Sequence, residues 1–347
     1  MMTCTPLFLC YLLSLSYCLC LEPISISTGV YFGATAGLAA IYASSSWMKC
    51  AVYECCNQAL DPIVARNSIK YDFGDKLKSD FKKKLHGQHI AESIVANALI
   101  KHMKDKEPRK ALVFSFHGWT GGGKNFVSYL IARNIYFKGM KSSYVHLITA
   151  TEKFPDPTKA PQYKLELIEF IKSKLSECGR QLFIFDEIDK VPSGIIEGLT
   201  QFLEYSIEPK EQSKAIYLFL SNIGGSEIAR VTYNFYMNGM NREEIELRDI
   251  ESLMNLHAFN EEGGLKKSSL IHKSMIDFFI PFLPLEKKHV QRCVVDYFQE
   301  KYNITKKVND RLVIEIADEL DYFPVDAKVY SKSGCKKVAR KVDMRVD

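Results

Sequence analysis

The sequence predicts an α/β protein, a mostly parallel sheet with helices on both faces, followed by a smaller helical unit. Three observations predict it. Apolar runs of strand length at Ala111–His117, Leu182–Phe185 and Ala215–Ser221 alternate with stretches of helical periodicity. The first run leads directly into Gly118-Trp-Thr-Gly-Gly-Gly-Lys124-Asn125, and that segment into Phe126–Arg133, which has helical spacing. The chain of 347 residues is long enough for a large and a small unit, with ordinary charged (25%) and apolar (47%) fractions.

The residues from Gly118 to Asn125 match G-x-x-x-x-G-K-[ST] except at the last position, where Asn stands. A strand, a glycine-rich turn and a helix in that order form the setting in which this pattern binds phosphate. Backbone N–H groups of Gly118, Trp119, Thr120, Gly121, Gly122 and Gly123 face the β-phosphate, and the helix N-terminus adds favourable dipole charge. Lys124 is placed to neutralise the β and γ oxygens. Asn125 occupies the position of the hydroxyl that normally meets Mg²⁺, and its amide oxygen can still ligate a metal or its water. ATP and Mg²⁺ are therefore the expected ligands.

Leu182-Phe-Ile-Phe-Asp186-Glu187 ends in two carboxylates, and in a parallel sheet that end is where ligands bind. Asp186 is the second candidate metal residue, and Glu187 the group that polarises the attacking water. The run Ala215–Ser221 ends in Asn222, a third candidate, able to touch that water or the γ-phosphate. Each feature alone has a plain alternative, since glycine-rich turns, acidic turns and strand-ending asparagines are all common. Their order on successive strand ends points to a nucleotide.

The remaining elements follow in order. Ile90 to Ile100 has helical spacing, and Lys104 to Lys110 with Pro108 reads as a charged connector. Ser143–Ile148 reads as a strand broken by Phe154-Pro-Asp-Pro157, and Leu165–Leu175 as an amphipathic helix. Another helix is expected from Ile195 to Tyr205. Phe278–Leu285 carries Pro281 and Pro284 and reads as a connection to the second unit. Glu286–Tyr302 and Asp310–Asp321 are helical, and Gly334 opens a last helix. The expected organisation is a signal peptide at 1–20, a membrane-associating segment at 21–48, a nucleotide-binding large domain at 49–265 and a small helical subdomain at 266–347.

The N-terminal expectation rests on charge. Glu22 is the only charged residue from Met1 to Met48. Leu7–Leu21 has signal-peptide length, and the uncharged stretch from Gly29 to Met48 is close to the ~20 residues that cross a bilayer, so it either spans or lies in one leaflet. Of ten cysteines, four lie in the first 20 residues; Cys50, Cys55, Cys56, Cys178, Cys293 and Cys335 remain and match no zinc spacing. Asn303-Ile-Thr305 is an N-glycosylation sequon. The net charge of +5 is mild, and Lys and Arg are dispersed, which speaks against a nucleic-acid surface.

These residues resemble the torsin family, a branch of the AAA+ ATPases related to Clp/HSP100 chaperones. Gly118–Asn125 looks like the torsin phosphate loop, Leu182–Lys190 like its Walker B segment, and Phe219-Leu-Ser-Asn222 like its sensor 1 strand. Gly334-Cys335-Lys336 resembles the torsin sensor 2, while His86-Gly87-Gln88-His89 and Leu283-Pro-Leu-Glu286 are similar to further torsin sequence. The resemblance covers about residue 50 to the end. It implies an AAA+ P-loop NTPase large domain, a small C-terminal helical subdomain, and Lys336 approaching the γ-phosphate. It also implies residence in the lumen of the endoplasmic reticulum and the nuclear envelope. It implies weak ATP hydrolysis that rises when a membrane-anchored lumenal activator supplies an arginine finger, with homo-oligomers as a further assembly. Disulfides Cys293–Cys335 and Cys50–Cys178 belong to the same implication. The segment Thr151–Pro155 lacks the glycine-aromatic pattern of a substrate-threading loop. The alternative reading is a nucleotide-gated interaction protein with little hydrolysis; the intact Glu187 speaks for hydrolysis.

Overall fold

The computed structural model describes Cys56 and residues 73–205, 210–254, 265, 274–302 and 308–345. The expected signal peptide, the segment 21–48, Cys50 and Asn303 lie outside them. No helix among the described residues is long and apolar enough to cross a membrane.

Helices α1 (Phe73–Lys84) and α2 (His89–Lys104) precede strand β1 (Leu112–Gly118). After the glycine-rich turn come α3 (Lys124–Ile135), β2 (Val145–Thr149), the one-turn α4 (Ala150–Lys153), α5 (Ala160–Glu177) and β3 (Leu182–Asp186). Next are α6 (Thr200–Leu203), β4 (Ile216–Ser221), α7 (Gly225–Met237) and β5 (Phe278–Phe282). The chain finishes with α8 (Lys287–Tyr302), α9 (Asp310–Asp318), the short strands β6 (Tyr322–Phe323) and β7 (Tyr330–Ser331), and α10 (Val338–Asp343).

Strands β2-β3-β4-β1-β5 form one sheet in which every pairing is parallel. Strands β1 and β4 are buried along their whole length, as expected for strands covered on both faces. Alternate residues feed two separate cores. Val113, Phe183, Phe185, Tyr217 and Phe219 face α5, packing with Leu167, Ile171 and Leu175. Leu112, Phe114, Phe116, Leu182, Ile184 and Leu218 face α1, α2 and α3, packing with Phe81, Val95 and Leu130. A third cluster, including Val290, Val294, Phe298, Ile316 and Val342, gives the C-terminal helices their own core.

Three expectations change. The segment 278–285 is not merely a connection: its first part is β5, hydrogen-bonded to β1 in the register Phe114↔Phe278 to Gly118↔Phe282. An edge strand tolerates proline, so Pro281 does not prevent pairing. The sheet thus reaches past the expected boundary at 265 to Phe282, and the helical part begins at α8. The expected helix from Ile195 to Tyr205 is a 3₁₀ turn, Ile196–Leu199, running into the short α6. Gly334 sits in a turn, and the last helix opens four residues later at Val338.

The cysteines also differ in part. Cys178 is bonded to Cys56, with Cα atoms 5.4 Å apart, so Cys50 is not its partner. The choice among neighbouring cysteines depends on which Cα comes within bridging distance, which sequence alone does not specify. Cys293 is bonded to Cys335, tying α8 to the segment before α10.

Two buried histidines make the fold acid-sensitive. Burial pushes the pKa of His102 and of His117 down to about 4 from an ordinary 6.5. The unfolded chain therefore takes up a proton at each as pH falls below 6.5, while the folded chain resists until about 4. Stability present above that window is lost on descending through it, by about 2 kcal/mol per histidine between pH 7.5 and 5. Urea unfolding at the two pH values should show this loss, and His102→Gln should reduce it; an unchanged pH dependence in that variant would count against the assignment.

Candidate functional site

Parallel strands bring their C-terminal ends to one edge, and the turn after β1 is built there. Gly121, with φ of +77°, lies against the backbone of Ser333–Gly334, and Gly334, with φ of +53°, lies against the Gly121 carbonyl. A Cβ on either glycine would run into the carbonyl oxygen opposite. The two glycines interlock the turn with the segment that carries Lys336.

Lys124 opens α3 and is buried. Its ammonium donates to the Gly118 carbonyl at 2.6 Å, the Trp119 carbonyl at 3.1 Å and Asn222 Oδ1 at 3.1 Å. Burial lowers its pKa to about 8, against the upward pull of Asp189 and Asp186. Asn125 Nδ2 donates to Asp186 Oδ2 at 2.7 Å, so the two candidate metal residues meet. Asp186 Oδ1 accepts the backbone N–H of Glu187.

Glu187 begins a 3₁₀ turn with a left-handed φ of 57°. Its carboxylate accepts from Lys190 Nζ at 2.6 Å and from Thr151 Oγ1 at 3.0 Å. Lys190 above all, with Thr151 and Lys336, holds this carboxyl below the usual carboxylate range. Asn222 is fixed from the other side, its backbone N–H donating to Asp189 Oδ1 at 3.1 Å.

Several of these groups line one cavity of about 520 Å³, within the usual range for a small-molecule site. Thr120 to Asn125, Asp186, Glu187, Asn222 and Lys336 form its polar end. Leu85, Leu285, Tyr297, Val338 and Ala339 supply its apolar lining. His86 lies on that side and bonds to Asp296 at 2.7 Å. No arginine lines the cavity among the described residues.

Two residues of the glycine-rich segment behave differently from the rest. Gly118 and Trp119 do not line the cavity; their carbonyls hold Lys124, and the Trp119 ring packs on Phe323 at 4.5 Å between centroids. Sequence reasoning also missed the groups that hold the site from behind. Thr151, Lys190 and Asp189 lie near the expected motifs and act on Glu187 and Asn222. Arg242, in the polar stretch Asn241–Glu244, is buried and donates to the carbonyls of Gly87 and Pro284. Nothing in its local sequence marks it for the interior.

A family model described as Torsin matches residues 50–185, and one described as Torsin-1A, C-terminal domain, matches residues 285–344. A torsin-like protein of Caenorhabditis elegans is 37% identical over 346 residues, covering 97% of this chain and 94% of its own length. The chain belongs to the torsin family. A torsin-like protein of Drosophila melanogaster is 36% identical over 302 residues, covering 86% of each chain. Among solved structures, the S. cerevisiae Hsp104–ADP complex superposes with a TM-score of 0.56 at 16% identity, covering 82% of this torsin and 48% of the Hsp104 chain. The closed state of Hsp104 with ATPγS and casein gives a TM-score of 0.57 at 15% identity and the same coverage. At these identities the likeness shows the fold, which is that of an AAA+ P-loop NTPase, and this torsin spans about half of an Hsp104 chain.

The interlocked glycines give a direct test. Gly121→Ala and Gly334→Ala should each force the turn and the Lys336 segment apart, since both positions combine a left-handed φ with a blocked Cβ. ADP affinity, measured by calorimetry, should fall by about tenfold or more, the equivalent of ~1.4 kcal/mol. Wild-type affinity in both variants would mean that this contact does not shape the site.

Proposed function

We propose that this torsin is an ATPase of the endoplasmic reticulum lumen and nuclear envelope, slow alone and activated in trans by a membrane-anchored lumenal partner. The observation that carries the reading is the single cavity shared by Lys124, Asn125, Asp186, Glu187, Asn222 and Lys336, with no arginine among its described lining residues. Water attacks the γ-phosphorus, Glu187 accepts its proton, and the bond to the β-phosphate oxygen breaks. Lys124 and Lys336 balance charge on the phosphates. Asn125 and Asp186 would hold Mg²⁺, which would add positive charge beside the phosphates when bound. The Asn125–Asp186 contact places the two side chains side by side at the phosphate loop, and the Asn125 Nδ2 must leave Asp186 Oδ2 for its own amide oxygen to turn to the metal.

Two features support slow turnover without a partner. An arginine at the γ-phosphate is worth ~10³-fold or more in phosphoryl transfer. Arg242 is committed to Gly87 and Pro284 and does not reach the cavity. Glu187 is also engaged by Thr151 and Lys190, and must leave them to meet the attacking water. That engagement equally favours a second reading, a nucleotide-gated interaction protein with little hydrolysis. In the first reading the output is chaperone-like work or membrane remodelling, with residues 21–48 providing contact to the membrane surface and homo-oligomers forming in addition.

ATP turnover of the protein, alone and with the lumenal domain of a candidate activator, separates the two. Low turnover that rises sharply with activator and is lost in Glu187→Gln supports the ATPase, with ATP still bound by that variant. Lys124→Ala should reduce nucleotide binding by at least about a hundredfold, because the phosphates lose their buried cation. Bound ATP with no turnover in either condition would favour the nucleotide-gated protein. Reduction of Cys293–Cys335, next to Lys336, should change nucleotide affinity, and Cys335→Ser should abolish that redox response.

A further inference from the structure

Gln88 stands at the N-cap position of α2, yet its side chain caps nothing. It is 2% exposed and turned toward the nucleotide site. Its Nε2 donates to the Gly122 carbonyl at 2.8 Å and to the Leu283 carbonyl at 2.8 Å. Its Oε1 accepts the Leu283 backbone N–H at 2.9 Å. One amide thus grips the middle of the phosphate loop and the residue that follows β5.

Arg242 reinforces the same junction without touching the loop. Its guanidinium donates to the Gly87 carbonyl at 2.9 and 2.6 Å and to the Pro284 carbonyl at 2.7 Å. Residues 87–88 and 283–284 are therefore tied by two side chains, one of which continues to the loop. The segment 283–286 is the short passage from the sheet into α8, which carries Asp296 and Tyr297 of the cavity wall.

The peptide geometry makes the Gly122 contact specific. In a trans peptide the C=O and the following N–H point in opposite directions. With the Gly122 carbonyl fixed on Gln88, the Gly123 N–H must point away from Gln88. That N–H makes no hydrogen bond to any described residue and lies in the turn that opens α3. Loss of Gln88 would leave the buried Gly122 carbonyl without this donor and free the peptide to rotate.

We infer that Gln88 is a positioning residue for the phosphate loop: it fixes the Gly122–Gly123 peptide so that the Gly123 N–H is presented to a nucleotide β-phosphate, and it ties that peptide to the passage into the small helical part. The inference rests on the reading of the cavity as a nucleotide site. It predicts a loss that depends on phosphate and not on the base.

The test is calorimetric titration of the folded protein with ADP and with adenosine, for wild type, Gln88→Met and Arg242→Lys. Gln88→Met keeps the side-chain volume and removes all three hydrogen bonds. It should weaken ADP by about tenfold or more while adenosine changes less than about twofold. Arg242→Lys loosens the junction but not the loop, and should leave the ratio of ADP to adenosine affinity unchanged. Wild-type ADP affinity in Gln88→Met, or an equal loss for ADP and adenosine, would overturn the inference. A wild-type protein that binds no ADP would instead overturn the nucleotide reading itself. If Gln88→Met does not fold, Gln88→Glu is titrated with ADP and with adenosine at pH 8. Its carboxylate cannot donate to the Gly122 carbonyl, so ADP should again weaken by about tenfold or more with adenosine nearly unchanged; wild-type ADP affinity, or an equal loss for both, would overturn the inference.

Discussion

The Lys124 ammonium is removed from water and surrounded by the Gly118 and Trp119 carbonyls and Asn222 Oδ1. Carbonyl dipoles satisfy its hydrogen bonds without neutralising its charge, and burial accordingly lowers its pKa to about 8. A buried cation with no carboxylate hydrogen-bonded to it is costly unless an anion arrives. The rest of the site can be understood from that constraint. The sheet supplies the position at the end of β1, the turn supplies the carbonyls, and β4 supplies Asn222 from the neighbouring strand. Phosphate oxygens would answer that charge, and the cavity beside it has a volume of about 520 Å³.

The C-terminal helices complete this arrangement instead of standing apart from it. Their own apolar core makes them a compact block, and three connections hold that block to the phosphate loop. Gly121 and Gly334 meet backbone to backbone, Trp119 packs on Phe323, and the passage 283–286 is held by Gln88 and Arg242. The Cys293–Cys335 bond, itself part of the cavity lining, then fixes the Lys336 segment to α8. A shift of the block would therefore move Lys336 and the loop together, which couples nucleotide contact to the orientation of the small helical part.

Much of this was legible in the sequence because its signals are local. The runs Ala111–His117, Leu182–Phe185 and Ala215–Ser221 are predominantly apolar, as buried parallel strands require, and the groups that end them fall on one edge by topology alone. What the sequence hid depends on contacts between distant residues. The two prolines of 278–285 read as a connection, since only the sheet order reveals that β5 is an edge strand. Gln88 and Leu283 are 195 residues apart, and Arg242 looks like a surface residue until its carbonyl partners are seen. Cys50 and Cys56 are equivalent by composition, and only the structure shows that Cys56 is the one bonded to Cys178.

The most direct measurement is an experimental structure of the protein with ADP and Mg²⁺. A β-phosphate oxygen should lie within ~3 Å of Lys124 Nζ, with Asn125 and Asp186 both turned to the metal or its waters. Lys124 should give up at least one of its carbonyl partners to the phosphate. A nucleotide bound elsewhere, or a Lys124 that keeps all its present partners with no phosphate beside it, would contradict a site built around the buried Lys124 charge.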